Sequence, residues 1–167
     1  MHDMDLSEIV ITGTVATILA DLWQQFLMKS LRYPVANWQM IGRWVAGMPG
    51  GKFIHRSIHE ATPVAGETVI GWTFHYLVGI GYAALYLALM QFILLGEPGP
   101  GSALLFGAAT IVAPWFVMQP ALGLGIMARH QPNQFAIAFV TVTTHLVFGA
   151  GLYLGTIAIT GLENIRT

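Results

Sequence analysis

Four apolar runs constrain this chain more than anything else in it: residues 9–28, 69–95, 103–128 and 135–160. About 20 apolar residues suffice for a helix to cross a bilayer, and each run is that long. Stretches such as AALYLALMQFILL have no polar face for a water-soluble bundle. Only 9% of the 167 residues are charged, against roughly 25% in an ordinary soluble domain. The expected fold class is therefore all-α: a polytopic membrane protein of four transmembrane helices in a single membrane domain spanning residues 1–167. The last three runs exceed the minimum, so tilts or kinks are expected. Pro114 and Pro120 put an irregularity in the third.

Lysine and arginine set the orientation. Lys29, Arg32, Arg43, Lys52 and Arg56 lie between the first and second runs, Arg129 lies between the third and fourth, and Arg166 is in the tail. Those two loops are expected to be cytoplasmic, with both termini on the outer side. Acidic Asp3, Asp5 and Glu8 near the N-terminus agree with this but weigh little in the rule. The start, MHDMDLSEIV, lacks the basic region and cleavage pattern of a signal peptide, so the first run is expected to remain in the mature protein. Without cysteine there is no disulfide, thiolate metal site or cysteine nucleophile.

The runs also resemble one another. VATILAD, ending at Asp21, reads like AATIVAP, ending at Pro114, and HYLVGIG from His75 reads like HLVFGAG from His145. Two hairpins in the same orientation, a parallel repeat of the kind found in transporters, would produce this pattern. Asp21, His75, Gln119 and His145, one per span, then fall in the cytoplasmic half of the membrane. Ionisable groups at such depth usually face the protein interior and pair. Thr14, Thr17, Asp21, Gln24 and Gln25 form a stripe on the first helix, so Gln25 joins this expected buried polar site. The glycines after each histidine have two readings. They let backbones pack closely, or they leave room for a ligand beside the imidazole.

The 40-residue loop from 29 to 68 carries NWQMIGRWVAG, which predicts an interfacial helix capped by Asn37. Trp38, Ile41, Trp44 and Val45 would form its anchoring face. GMPGGKF is not a phosphate loop, because its spacing is wrong and Phe53 replaces the required Ser or Thr. Nucleotide binding is excluded there, and nothing points to nucleic acid. His55 and His59, four apart, would share one face of a short helix, a spacing that suits metal ligation. Glu67 and His55 are candidates for the site entrance. Neither a metalloprotease signature nor a Ser–His–acid pattern is present, so the sequence leans away from an enzyme and leaves the question open.

In order, ADLW, GRW, GGKFIH, PVAGE, GWTFHY, MQP and HLVFGAGLY resemble a bacterial family of small inner-membrane proteins, domain-of-unknown-function family 2938. The resemblance runs from about Ile9 to Ile159. It implies a multi-pass protein of the bacterial inner membrane and carries no activity, substrate or cofactor. The first functional expectation is a transporter- or channel-like protein handling a small ion, proton or solute. An oligomer would then be expected, since four helices are few for a transport pathway. One alternative is a metal or haem b protein, with Asp21, His75 and His145 binding a divalent metal or the two histidines ligating the haem iron. The other is a structural or accessory membrane protein whose polar groups only fix helix register.

Overall fold

The computed structural model describes residues 5–94 and 96–166, without the side chains at 160 and 162–166. Asp3 and the Arg166 side chain, both used for the orientation, lie outside the described parts. All regular structure among the described residues is helical. The principal elements are α1 (Leu6–Leu31), α2 (Trp38–Gly47), α3 (Glu67–Ala88), α4 (Pro100–Thr110), the single turn α5 (Gln119–Ala121) and α6 (Gln134–Arg166). Helix α3 continues as a π-helical stretch over Leu89–Leu94. Four segments are long and apolar enough to cross a membrane: Leu6–Leu31, Glu67–Leu94, Pro100–Ala121 and Gln134–Ile159. The third ends seven residues before the apolar run does, because the chain unwinds after α5.

The contacts divide the chain into two compact units. The first comprises Met1–Trp23, Tyr76–Thr110 and Thr143–Thr167. Helix packing there depends on missing side chains. A Cβ on Gly13 would stand 2.5 Å from Ile80 Cα, and one on Gly79 would strike the Thr17 side chain, so α1 and α3 touch at backbone distance. A Cβ on Gly107 would run into the His145 carbonyl, and one on Gly149 would stand 2.6 Å from the Ala103 carbonyl oxygen, joining α4 to α6. Gly151 meets Ala16 in the same way, which brings α6 against α1. Ala16, Ala20, Ala83, Tyr86, Phe148 and Leu152 fill the spaces between. Of the four glycines that follow the two histidines, three are packing contacts; Gly81 faces open space.

The second unit comprises Gln24–His75 and Ile111–Val142. Helix α2 forms as expected: the Asn37 side chain accepts a hydrogen bond from Met40 N at 3.2 Å, capping its first turn. Its apolar face does not match the expectation of a headgroup anchor. Ile41 and Trp44 are buried with Ile58, Ala121 and Leu122, so protein covers much of that face. An amphipathic stripe needs an apolar neighbour, and its period does not distinguish lipid from protein. The crossing of α2 over α3 is close, since a Cβ on Gly42 would strike the Glu67 carbonyl and one on Gly71 the Trp38 carbonyl.

Gly42→Ala is therefore expected to destabilise the protein by about 1–3 kcal/mol, the usual cost of overpacking a rigid contact. Gly81→Ala should leave stability unchanged. Thermal unfolding of both variants in mild detergent checks this, and equal melting temperatures would refute the packing account.

Candidate functional site

The most irregular backbone in a spanning segment lies in the second unit, where the third apolar segment breaks. Pro114 has no N–H to give to the helix, and the chain widens into a π-helical stretch over Pro114–Met118 before the turn of α5. Beyond it Gly123 and Gly125 have φ of +82° and +77°, and Met127 and Ala128 also take positive φ, so the helix cannot continue. The first loop supplies partners for the carbonyls thus exposed. His55 N donates to Ala121 O at 2.8 Å, and Ile58 N donates to Leu122 O at 3.1 Å. Between these bonds the Arg56 carbonyl lies where a Cβ on Gly123 would have to stand. Two irregular segments are thereby docked through their main chains.

An ion pair holds the loop from the other side. Arg43 Nε donates to Glu67 Oε2 at 2.8 Å and Nη2 donates to Oε1 at 3.0 Å, a bidentate contact. Its remaining nitrogen, Nη1, donates to the Ala61 and Ile58 carbonyls at 2.9 and 3.3 Å. Glu67 Oε2 also accepts from Val64 N at 3.0 Å, which fixes the start of α3. The hydrogen bond to Glu67 holds the guanidinium pKa above its ordinary value, despite the opposing effect of burial. Glu67, a candidate for the site entrance, is buried as the partner of Arg43.

Three side-chain polar atoms of this unit are buried with no hydrogen-bond partner among the described residues, Gln119 Oε1, Trp115 Nε1 and His55 Nε2; in the first unit the hydroxyls of Thr12 and Thr144 are the same. Gln119 is only 4% exposed. Buried polar atoms are satisfied in the great majority of cases, so three on the two docked segments are notable. Trp115 and Gln119 are four residues apart along the widened turn. His55 is tied by its own amide to Ala121, two residues beyond Gln119.

The other expected site residues have partners. The Asp21 carboxylate accepts from the Tyr76 hydroxyl at 3.1 Å. His145 Nδ1 lies 2.8 Å from the Thr110 hydroxyl, which itself donates to Gly107 O at 2.6 Å. With the one proton of that hydroxyl on the Gly107 carbonyl, the His145 contact has Nδ1–H as donor and the hydroxyl oxygen as acceptor. His75 stacks on Trp38 with ring centroids 3.8 Å apart, and Trp72 meets it edge-on. Gln25 is exposed rather than buried. Gln24 takes the inward position, and its Oε1 accepts from Ala36 N at 3.2 Å. One residue turns a helix by about 100°, enough to exchange the two. His55 and His59 do not share a helix: only Ile58–Glu60 forms a turn there, and His59 is exposed. Among the described residues no three His, Asp or Glu side chains gather as a metal ion would require, so the Asp21, His75 and His145 metal reading has no assembled ligand set behind it. The sequence reading missed Trp115 and Tyr76 as polar participants and the pairing of Arg43, each joined to its context only by folding.

Four helices long and apolar enough to cross a membrane, the third of them broken beside buried polar groups, make an all-helical chain consistent with a multi-pass membrane protein. The chain belongs to a family described as protein of unknown function, DUF2938, whose model matches residues 10–159. No curated protein and no solved structure matches it.

Arg43→Met strands a buried carboxylate and frees two loop carbonyls, so it should lower the melting temperature sharply. The double variant Arg43→Met, Glu67→Leu should recover part of the loss, because removing both charges costs less than orphaning one. Thermal unfolding of wild type, single and double variants measures it; a double variant no better than the single would disprove the pairing argument.

Proposed function

We propose that this protein handles a small ion, proton or solute in a transporter- or channel-like manner, with the break in the third segment as its binding point. One observation carries this reading: Gln119 Oε1, Trp115 Nε1 and His55 Nε2 are buried unpaired on the two docked segments. Irregular backbone at membrane depth is tolerated where it is buried in protein or lines a polar cavity, and discontinuous helices of this kind bind cargo in transporters. An acceptor, a donor and an imidazole beside such a break can replace part of a hydration shell. Asp21 and His145, by contrast, are joined to Tyr76 and Thr110, and register-fixing suffices as their role.

The parallel-repeat arrangement of two hairpins belongs to the same proposal. It draws support from Thr17 and Thr110, which occupy matching places in VATILAD and AATIVAP. Each donates back to a glycine carbonyl of its own helix, and each helix there packs on a glycine of the α3 or α6 repeat. Placement in the bacterial inner membrane, cytoplasmic 29–68 and 122–133 loops, and a homo-oligomer complete the proposal.

The test is flux through purified protein in liposomes. Proton entry is followed with a trapped pH dye under a valinomycin-clamped potential, and solute entry by light scattering after osmotic shock with glycerol or urea. Wild-type vesicles should exceed protein-free vesicles for at least one probe. Gln119→Leu should lower that rate by about tenfold, the worth of one hydrogen bond. Wild-type rates equal to those of empty vesicles for every probe would overturn the proposal and favour the structural or accessory reading. Loss confined to Asp21→Asn would overturn the placement at the break.

A further inference from the structure

We infer that residues 52–56 form a preformed wedge for an anionic lipid surface. Phe53 and Ile54 lie outside all four membrane-length segments, yet they are 59% and 79% exposed. Their backbone is held in place. Lys52 N donates to Gly47 O at 3.1 Å, the Trp44 indole donates to Phe53 O at 2.8 Å, and His55 N donates to Ala121 O at 2.8 Å. The chain reaches this segment through a turn at Gly51, whose φ is +78°. Two large apolar side chains are thus presented outward from a fixed main chain, so little conformational entropy is lost when they are covered.

Lipid fits this patch better than protein does. A stable protein interface takes about 20–30 residues a side, and two apolar side chains fall far short of that. The unit to which the patch belongs includes 24–31, 67–75, 111–121 and 134–142, one end of each membrane-length segment, so bilayer must lie close by. Its charge is also lopsided. Six of the seven basic residues fall in this unit with only Glu60 and Glu67 among the acids, a net charge of +4. Arg43 and Glu67 neutralise each other internally, which leaves Lys29, Arg32, Lys52, Arg56 and Arg129 against Glu60. Exposed Lys52 adjoins the apolar pair and exposed Arg56 lies two residues beyond Ile54. Phe53 and Ile54 enter the boundary between headgroups and acyl chains, and the two flanking cations pair with lipid phosphates. This rests on exposure and charge alone and stands whether or not the protein moves a solute.

The absence of cysteine makes the test direct, because Ile54→Cys creates a unique labelling site. The variant is labelled with an environment-sensitive dye and placed in nanodiscs of phosphatidylcholine with or without phosphatidylglycerol, with brominated lipid as quencher. Glu60→Cys, on an exposed residue of the same loop, is the water-facing control. In anionic discs the label at 54 should emit to the blue of the control, be quenched by bromolipid and resist iodide. Replacing Lys52 and Arg56 with Gln should shift the insertion equilibrium outward by about 30-fold, the worth of two basic residues at an anionic surface. Iodide access at 54 equal to that at 60, without bromolipid quenching, would overturn the wedge. Equal quenching in purely zwitterionic discs would overturn its anionic preference. Protection from iodide without bromolipid quenching would overturn it in favour of contact with a second copy.

Discussion

Hydrocarbon offers no hydrogen bonds, so a helix that breaks inside a membrane-length segment must find partners for its backbone within the protein. Much of the second unit follows from that requirement. The third segment ends at Ala121, where the turn into Gly123 leaves the Ala121 and Leu122 carbonyls without a following helical turn, and the amides of His55 and Ile58 meet them. That brings loop carbonyls at 58 and 61 to Arg43, whose charge then demands a carboxylate, and Glu67 supplies it. Glu67 opens α3, so the chain of partners runs from the break in one spanning segment to the first residue of another. The ion pair is a consequence of the break before it is a source of stability. Buried pairs are often retained for the arrangement they enforce, and this one fixes where the loop can lie.

The first unit solves a different problem. Lipid tails are as apolar as leucine, so helices gain little by burying apolar side chains against each other and must gain from close packing and polar contacts. Gly13 against Ile80, Gly149 against Ala103 and Gly151 against Ala16 supply the first. Tyr76 with Asp21, Trp23 with Thr143 at 3.0 Å, and Thr110 with His145 supply the second. The Tyr76–Asp21 and Thr110–His145 pairs join helices close to the glycine contacts at Gly79 and Gly107. Small residues bring the backbones near enough for short side chains to reach, and the hydrogen bonds then fix the rotation about each helix axis.

Hydrophobic run length and proline position are legible in the sequence, because they act within one segment. The four spans and the break in the third are the result. What covers an apolar face was not legible. The stripe on α2 has the period of an anchor, yet Ile41 and Trp44 are covered by Ala121 and Leu122, some 80 residues away. The apolar side chains exposed at that loop are instead Phe53 and Ile54, which no periodicity marks. The glycines after His75 and His145 admitted two readings, and only the neighbouring helix could decide between them. Rotation was equally out of reach: Gln24 and Gln25 carry the same side chain, and a single step decides which one is buried. Arg43 and Glu67 stand 24 residues apart, across a turn and an extended stretch, with nothing local to couple them.

The two kinds of buried polar group therefore carry different weight as evidence of function. A satisfied pair such as Asp21 with Tyr76 contributes to folding whether or not anything binds, because separating it would leave a carboxylate in a poor solvent. Gln119 Oε1, Trp115 Nε1 and His55 Nε2 have no hydrogen-bond partner among the described residues. Their burial costs free energy that apolar residues of the same size would avoid. A structural origin would require the break itself to force those residue types on the fold, and the break needs only prolines, glycines and partners for its carbonyls. A tryptophan donor, an amide acceptor and an imidazole add nothing to that. The proposed binding reading therefore rests on the third segment rather than on the two histidine stretches that first draw the eye.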